Sequence, residues 1–241
     1  MAEKKFTKVR HVFQNNYTHF NYYYNANNKI NAVIERAKVA QKDDYTRLLN
    51  YYPYSLENTA TQKTELDSVI YKATAGILLH DLRNDWIDNM YLLMGQAYFF
   101  KKDFDSAAAT FQFINYNLFP RKKDEDDSHV VGTKEASSSG YISVANKEKL
   151  NVLQKLTAQP PSRNDALLWI IRTLIEQNEL GDAASLINTL QHDVNLPQRL
   201  KNDLEEINAY WFFKQNMFDS SAAHLEQALS NAPSLEYQAR A

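Results

Sequence analysis

Cysteine is missing from all 241 residues. Its absence excludes disulfides, zinc–thiolate centres and thiol nucleophiles within this chain, and leaves the redox compartment open. Glycine (5) and proline (6) are scarce, which argues against a turn-rich β architecture and for long helices. No apolar run approaches the ~18 residues of a membrane span; the longest uncharged, apolar-rich stretch, Asn89 to Phe100, is too short. Nothing hydrophobic follows Met1-Ala2-Glu3-Lys4-Lys5, so no signal peptide is expected, and the opening reads as an engineered start on a mature or truncated chain. Charge of one sign is lacking too. Lys and Arg total 27 against 29 Asp and Glu, which leaves neither a nucleic-acid-binding stripe nor a polyanionic tail.

The signatures of chemistry are equally thin. The six histidines, His11, His19, His80, His129, His192 and His224, fall in no metal-binding spacing. His11 and His19 are about two helical turns apart, too far to share an ion easily. Gly132 and Gly140 flank no strand-to-helix turn that would cradle a phosphate, and no G-x-S-x-G elbow frames a nucleophile. The carboxylate pairs Asp43-Asp44 and Asp126-Asp127 sit beside lysines in polar segments, with no burial to raise a pKa for acid catalysis. No catalytic, cofactor or metal residue is expected, and the chain reads as non-enzymatic.

What is present is a spacing. Tyr91-x-x-Met94-Gly95-x-x-Tyr98, then Ala107-x-x-x-Phe111, then Pro120, follows the tetratricopeptide pattern of a 34-residue helical pair, with Pro120 one residue late. Tyr91, Met94 and Tyr98 form one stripe of a first helix, and Ala107, Phe111 and Ile114 the matching stripe of a second. Gly95 and Ala107 are small, as close helix approach requires, and Pro120 stops the second helix. The spacing predicts an all-α, right-handed tetratricopeptide-like solenoid.

Neighbouring segments extend the pattern. Residues 6–25 read as a helix on the stripe Val9, Val12, Phe13, Tyr17, Phe20 and Tyr24, which Asn25-Ala26-Asn27-Asn28 breaks before a second helix through Ile30, Val33, Ile34, Ala37 and Ala40. Together they form a degenerate first repeat. Asp43 to Leu49 makes a short helical or extended piece that Tyr51-Tyr52-Pro53-Tyr54-Ser55 ends. A long helix then covers Glu57 to His80 on Leu66, Val69, Ile70, Ala73 and Ile77. Asn84 or Asp85 is expected to cap the helix after it. Residues 121–147, with the charge run Arg121 to Asp127 and the Ser137-Ser138-Ser139-Gly140 tract, form a long loop, either solvated or functional.

Helical pattern resumes at 148–241. Asn164-Asp165 reads as a cap pair, ahead of Leu167, Ile170, Ile171, Leu174 and Ile175. Gly181-Asp182 opens the next helix, with Ala183-x-x-x-Ile187 matching Ala107-x-x-x-Phe111. Phe212-Phe213-Lys214 and Phe218-Asp219-Ser220-Ser221 echo Phe99-Phe100-Lys101 and Phe104 to Ala107, with one residue more between them. Pro233 to Ala241 begins another helix and stops, so a longer, truncated array is expected. Three parts follow: helices at 1–120, a loop at 121–147, and further helices at 148–241. The 15 tyrosines read first as packing rings with wet hydroxyls.

First helices line the concave face of such an array. A protein-binding groove is therefore expected at Asn89, Leu92, Gln96 and Phe99, with Tyr22, Tyr23 and Arg172 in other units. Leu92 and Gln96 depart from the Lys and Asn clamp that grips a partner's C-terminal carboxylate. The groove suits an amphipathic or extended protein segment instead. The alternative for Leu92 and Phe99 is packing on the next repeat.

Several runs resemble one family. They are Asn16-Tyr17-Thr18-His19-Phe20-Asn21-Tyr22-Tyr23-Tyr24-Asn25, Asp43-Asp44-Tyr45-Thr46-Arg47-Leu48-Leu49 with Tyr52-Pro53-Tyr54-Ser55, Trp86-Ile87-Asp88-Asn89-x-Tyr91-Leu92-Leu93-x-Gly95, and Arg121-Lys122-Lys123-Asp124-Glu125. They are similar to the tetratricopeptide lipoproteins of Bacteroidetes gliding motility and type IX secretion (SprE/PorW type), over about residues 16–125. The resemblance implies a periplasm-facing helical adaptor of the cell envelope and outer membrane, whose partners are other proteins of the secretion and gliding machinery. It also implies a membrane tether through a lipid on an N-terminal Cys, which this chain lacks. The alternative is a glycan-capture outer-membrane lipoprotein with embedded repeat helices, for which exposed aromatics such as Tyr22 and Tyr51 speak.

Overall fold

The computed structural model describes residues 7–80, 83–118, 144–148 and 161–229, and every regular element among them is a helix. The protein is all-α, as the low glycine and proline content predicts. Pro120, Pro233 and the tracts Arg121–Asp127 and Ser137–Gly140 lie outside the described residues. The chain divides into two compact units, residues 1–110 with 151–161 and residues 111–150 with 162–241.

In the first unit, α1 (Lys8–Tyr17), a π-helical turn (Thr18–Tyr23) and α2 (Tyr24–Ala40) make one continuous helix. Asn25 to Asn28 do not break it, so the expected helix pair of a first repeat is absent there. Asparagine is only a mildly poor helix former, and burial of Ala26, Ile30, Val33 and Ala37 decides the outcome. The π turn sets the phase. Thr18, Tyr22, Ala26 and Ile30 are four apart, a spacing that drifts by about 40° per step in an α-helix. The wider turn, closed by the Tyr24 N–H on the His19 carbonyl, takes up part of that drift.

The stripe expected to face inward on α1 instead faces solvent, from Val9 to Tyr24. The inward set is polar. Asn84 Nδ2 donates to the buried Thr18 hydroxyl at 2.8 Å, and Asn84 Oδ1 accepts the Trp86 N–H at 2.9 Å. Asn15 Nδ2 donates to Asp85 Oδ2 at 2.6 Å while the Asp85 N–H donates to Asn15 Oδ1 at 3.1 Å. Hydrophobic periodicity misreads this face because the buried Thr18 and Asn84 satisfy each other, while Asn15 and Asp85 pair at the exposed edge, so little polar surface is buried unpaired.

Residues 43–49 form a turn, with Asp44 Oδ1 accepting from the Thr46 N–H and hydroxyl. Helix α3 (Leu56–Ala60) follows, capped by Ser55 on the Asn58 N–H. Helix α4 (Lys63–Leu79) is separated from it, whereas one helix was expected from Glu57 to His80. The break at Thr61-Gln62 lets Gln62 reach α2: its Nε2 donates to the Val33 carbonyl at 2.9 Å and its Oε1 accepts from Arg36 Nε at 2.6 Å. Leu66, Val69, Ala73 and Ile77 are buried as expected. Helix α5 (Ile87–Phe100) packs on α4 through Ile87, Met90, Leu93 and Ala97.

Helix α6 (Phe104–Phe113) runs into a second π turn (Ile114–Leu118). In the second unit, α7 (Arg163–Glu176), α8 (Leu180–Gln191), α9 (Gln198–Lys214) and α10 (Phe218–Leu229) pack in succession. Phe111 stacks on Trp169 with centroids 5.9 Å apart. The core uses Leu167, Ile171, Ile175, Ala183, Ile187, Leu200 and Leu204.

Three reversals, α5 to α6, α7 to α8 and α9 to α10, are built alike. Lys102, Asn178 and Asn216 are left-handed, at φ of 63°, 64° and 60°. Their N–H groups donate three residues back, to Phe99, Ile175 and Phe213, and the next N–H groups reach five back, to Tyr98, Leu174 and Phe212. This is the Schellman closure of a helix. Ala107, Ala183 and Ser221 then donate to Asp103, Glu179 and Met217 as each second helix begins. All three are buried, and the Ser221 hydroxyl donates to the Ala209 carbonyl across α9 and α10 at 2.8 Å. This register pairs Phe99 with Phe213 rather than with Phe212, so no extra residue intervenes. Edge-on pairs Phe99–Phe104 at 5.6 Å and Phe213–Phe218 at 5.7 Å occupy the same place.

Two glycines have opposite surroundings. A Cβ at Gly76 would lie 2.6 Å from Met90 Cε and 3.1 Å from Tyr22 Cβ, whereas one at Gly181 would meet nothing within 4 Å. Gly181→Ala is expected to raise unfolding free energy by about 0.5–1 kcal/mol, and Gly76→Val to lower it by about 1–3 kcal/mol. Urea denaturation of both variants measures this. A loss at Gly181 would mean that α8 starts differently.

Candidate protein-binding surface

The expected groove residues on α5 fall into two groups. Phe99 is 2% and Asn89 6% exposed, so no partner reaches either. Phe99 instead packs edge-on against Phe100 and Phe104. Leu92 and Gln96 are half-buried and remain within reach. The split is a matter of helix geometry: a helix flanked by neighbours leaves only a narrow strip open, and four residues spaced three and four apart exceed it.

Tyr22 and Tyr23 are half-buried packing residues at the π turn. Tyr22 meets His80 edge-on at 5.3 Å and lies against Gly76. Tyr23 tilts onto Trp86 at 4.8 Å, and His19 stacks flat on the same indole at 4.0 Å. Burial pushes the His19 imidazole below its ordinary value, so it stays neutral near pH 7. Arg172 belongs to the second unit, where its guanidinium lies 4.4 Å over the Trp169 ring, a cation–π contact.

The most completely built recognition geometry lies elsewhere in the second unit, around residues 144–148. Asp193 is buried, and its Oδ2 accepts the N–H groups of Val144 at 2.6 Å and Ala145 at 2.7 Å. Asn164 pairs with the backbone of Asn146 in both directions: its Oδ1 accepts the N–H and its Nδ2 donates to the carbonyl, each at 2.9 Å. Asn164 therefore does not cap α7, although the sequence reads Asn164-Asp165 as a cap pair. It lies within the helix, whose N-cap is Ser162, and it holds an extended segment by its main chain. Arg199 completes the clamp, donating to Glu148 at 2.8 Å and to Asp165 at 2.6 Å. Burial opposes its charge, but the hydrogen bonds it donates to Asp165 and Glu148 outweigh that and raise its proton affinity. The last residues of the expected 121–147 loop, Val144 to Lys147, thus end in a bound segment.

The sequence signal for this clamp was present but ambiguous. Asn164-Asp165 reads locally as a cap, because a cap needs a partner only three residues away. Its actual partner lies 18 residues back. Nothing in the spacing of Asp193 or Arg199 pointed to residues 49 and 51 positions away.

Chemically, the clamp holds main-chain groups of the chain's own residues 144–146, while Leu92 and Gln96 leave an apolar and an amide side chain half-exposed. Among the described residues, no group of three or more His, Asp or Glu side chains could hold a metal ion, and no helix is long and apolar enough to cross a membrane. Compared with models of protein families and with curated proteins, the chain matches none.

Two outcomes are expected. Arg199→Ala leaves Glu148 and Asp165 without their shared cation and should lower stability by about 1–2 kcal/mol, the value of a charged hydrogen bond discounted for partial exposure. Limited proteolysis should then cut near residues 144–148; a wild-type cleavage pattern would mean that the segment is held without Arg199. Asp203 stands at the exposed edge of α9, where partial desolvation and then Asp165 push its carboxyl above the ordinary value of 3.8, against the pull of Arg199 and Arg172. A raised carboxyl favours folding at pH below its unfolded value and loses that contribution as pH rises through its folded one. Asp203→Asn should therefore raise the melting temperature at pH 7, with the gain vanishing below about pH 3.8.

Proposed function

We propose that this chain is a tetratricopeptide-like helical solenoid that serves as a non-enzymatic protein-interaction scaffold. The observation that carries the reading is the triple recurrence of one reversal: left-handed Lys102, Asn178 and Asn216, each followed five residues later by a small buried residue, Ala107, Ala183 or Ser221. Recurrence of a supersecondary unit at fixed register is the property of repeat proteins, whose stacked helices present extended surfaces to other polypeptides. The accessible strip at Leu92 and Gln96 offers such a surface, and it suits an extended or amphipathic segment.

The runs around Asn16–Asn25, Asp43–Leu49 and Trp86–Gly95 add the resemblance to envelope lipoproteins of type IX secretion and gliding (SprE/PorW type). On that basis the scaffold works at the periplasmic side of the cell envelope and supports the secretion or gliding machinery. The glycan-capture alternative drew on Tyr22 and Tyr51. Both are half-buried, and Tyr51 is engaged edge-on by Tyr52 at 4.9 Å, so the protein-scaffold reading is the better supported.

Mild crosslinking in envelope preparations, followed by purification of the full chain, is expected to recover components of the secretion machinery. Their absence, together with saturable binding of oligosaccharides, would favour glycan capture. Leu92→Glu with Gln96→Glu is expected to weaken that recovery at least tenfold. Melting should shift by no more than the ~0.5 kcal/mol typical of surface changes. Asn89→Glu, in contrast, should unfold the first unit by burying a charge.

A further inference from the structure

The outward face of the first helix is unusual for a chain with so well-formed a core. Val9, Val12, Phe13, Tyr17, Phe20 and Tyr24 are 46–81% exposed. They share one side of α1, the π turn and the first residue of α2, at helical spacing, and Phe13 and Tyr17 already stack at 6.4 Å. At 1.5 Å per residue the seam is about 22 Å long. An aromatic side chain buries roughly 150–250 Å² when fully covered, so the four rings alone offer roughly 400–500 Å², and the two valines add to it. That is at the upper end of what a monomer leaves open.

The surroundings of the seam narrow its occupant. From His11 to Asn28 the chain carries no Asp, Glu, Lys or Arg, and Asn16, Asn21, Asn25 and Asn28 are the exposed polar residues among them. Helices that lie in a membrane surface set Lys and Arg along their apolar face, whereas here Lys8 and Arg10 stand only at its start and none follows from His11 to Asn28. Along His11–Asn28, which holds most of the seam, a charged partner finds no opposite charge to pair with. A second copy fits: near a two-fold axis each side chain meets itself, which charges cannot tolerate but amides, being donor and acceptor at once, and aromatic rings can.

We propose that two copies of this chain associate through this face, α1 against α1 in antiparallel, with the axis near Asn16. The antiparallel sense sets the basic end at Lys8 and Arg10 against the neutral Asn25–Asn28 end of the other copy, whereas a parallel pair would oppose like charges. Two such faces together bury about 1,000 Å² or more, the size at which specific interfaces begin.

Sedimentation equilibrium of the full chain at about 100 µM is expected to give a dimer, and a monomer at that concentration overturns the proposal. Phe13→Glu with Phe20→Glu should abolish the dimer while leaving circular dichroism and melting unchanged, since both rings are exposed; a persisting dimer places association elsewhere and overturns it. Because the chain has no cysteine of its own, Asn16→Cys provides a separate reading that does not depend on the ring variants. Mild oxidation should link two copies through it far faster than through Val39→Cys on α2; equal rates overturn the antiparallel arrangement. Binding to phosphatidylcholine–phosphatidylglycerol vesicles that is lost with the ring variants, by a chain monomeric in solution, would assign the face to lipid instead.

Discussion

A helix that must turn back within three residues has few ways to close its last carbonyls. The chain uses one of them three times: a residue in the left-handed region accepts the steric cost, and two N–H groups then reach back three and five residues. Everything downstream follows from the direction that turn imposes. It brings the start of the second helix against the first, which requires a small side chain at the first point of contact. Ala107, Ala183 and Ser221 stand there, and all three are buried. Two of the three left-handed positions are asparagine, which bears that conformation better than most residues. The third is Lys102, whose amine reaches Glu57 at 2.7 Å.

Where the chain does not use this turn, polar side chains hold it. Asn84, Asn164, Gln62 and Asp193 each bind main chain or side chain in another segment, and each leaves few donors or acceptors unmatched. Such contacts stabilise modestly on balance but are costly to half-break. They therefore fix position more than they add stability. The extended segment at 144–148 has its place through Asp193, Asn164 and Arg199, with little apolar burial beyond Ala145.

How far the sequence could be read depended on which kind of contact was decisive. The stripes Leu66-Val69-Ala73-Ile77 and Leu167-Ile171-Ile175 were legible, because burial of apolar residues at helical spacing is a local pattern. So were the small residues at 107 and 183. The face of α1 was misread for the same reason: its apolar residues made a good stripe, and only the distant Asn84 and Asp85 show that the polar side turns inward. The chain through Asn25–Asn28 looked like a break because propensity was weighed without the core beneath it. At the candidate surface, Leu92 and Gln96 stayed accessible while Asn89 and Phe99 did not. Periodicity gives the face of a helix but not how many neighbours crowd it.

The polar attachment of α1 also bears on the order in which the first unit assembles. The reversals close over a handful of residues, whereas the bonds from Asn15 and Thr18 to Asp85 and Asn84 span 70 and 66 residues. Bringing such distant ends together costs chain entropy before any bond forms, and α1 itself, with no buried residue from Lys8 to Tyr17, offsets little of it until the rings of the π turn reach Trp86. The hairpin turns can form early on local contacts. The first helix, the earliest part of this chain to be synthesised, is then among the last to settle, and its aromatic side stays in water while it waits.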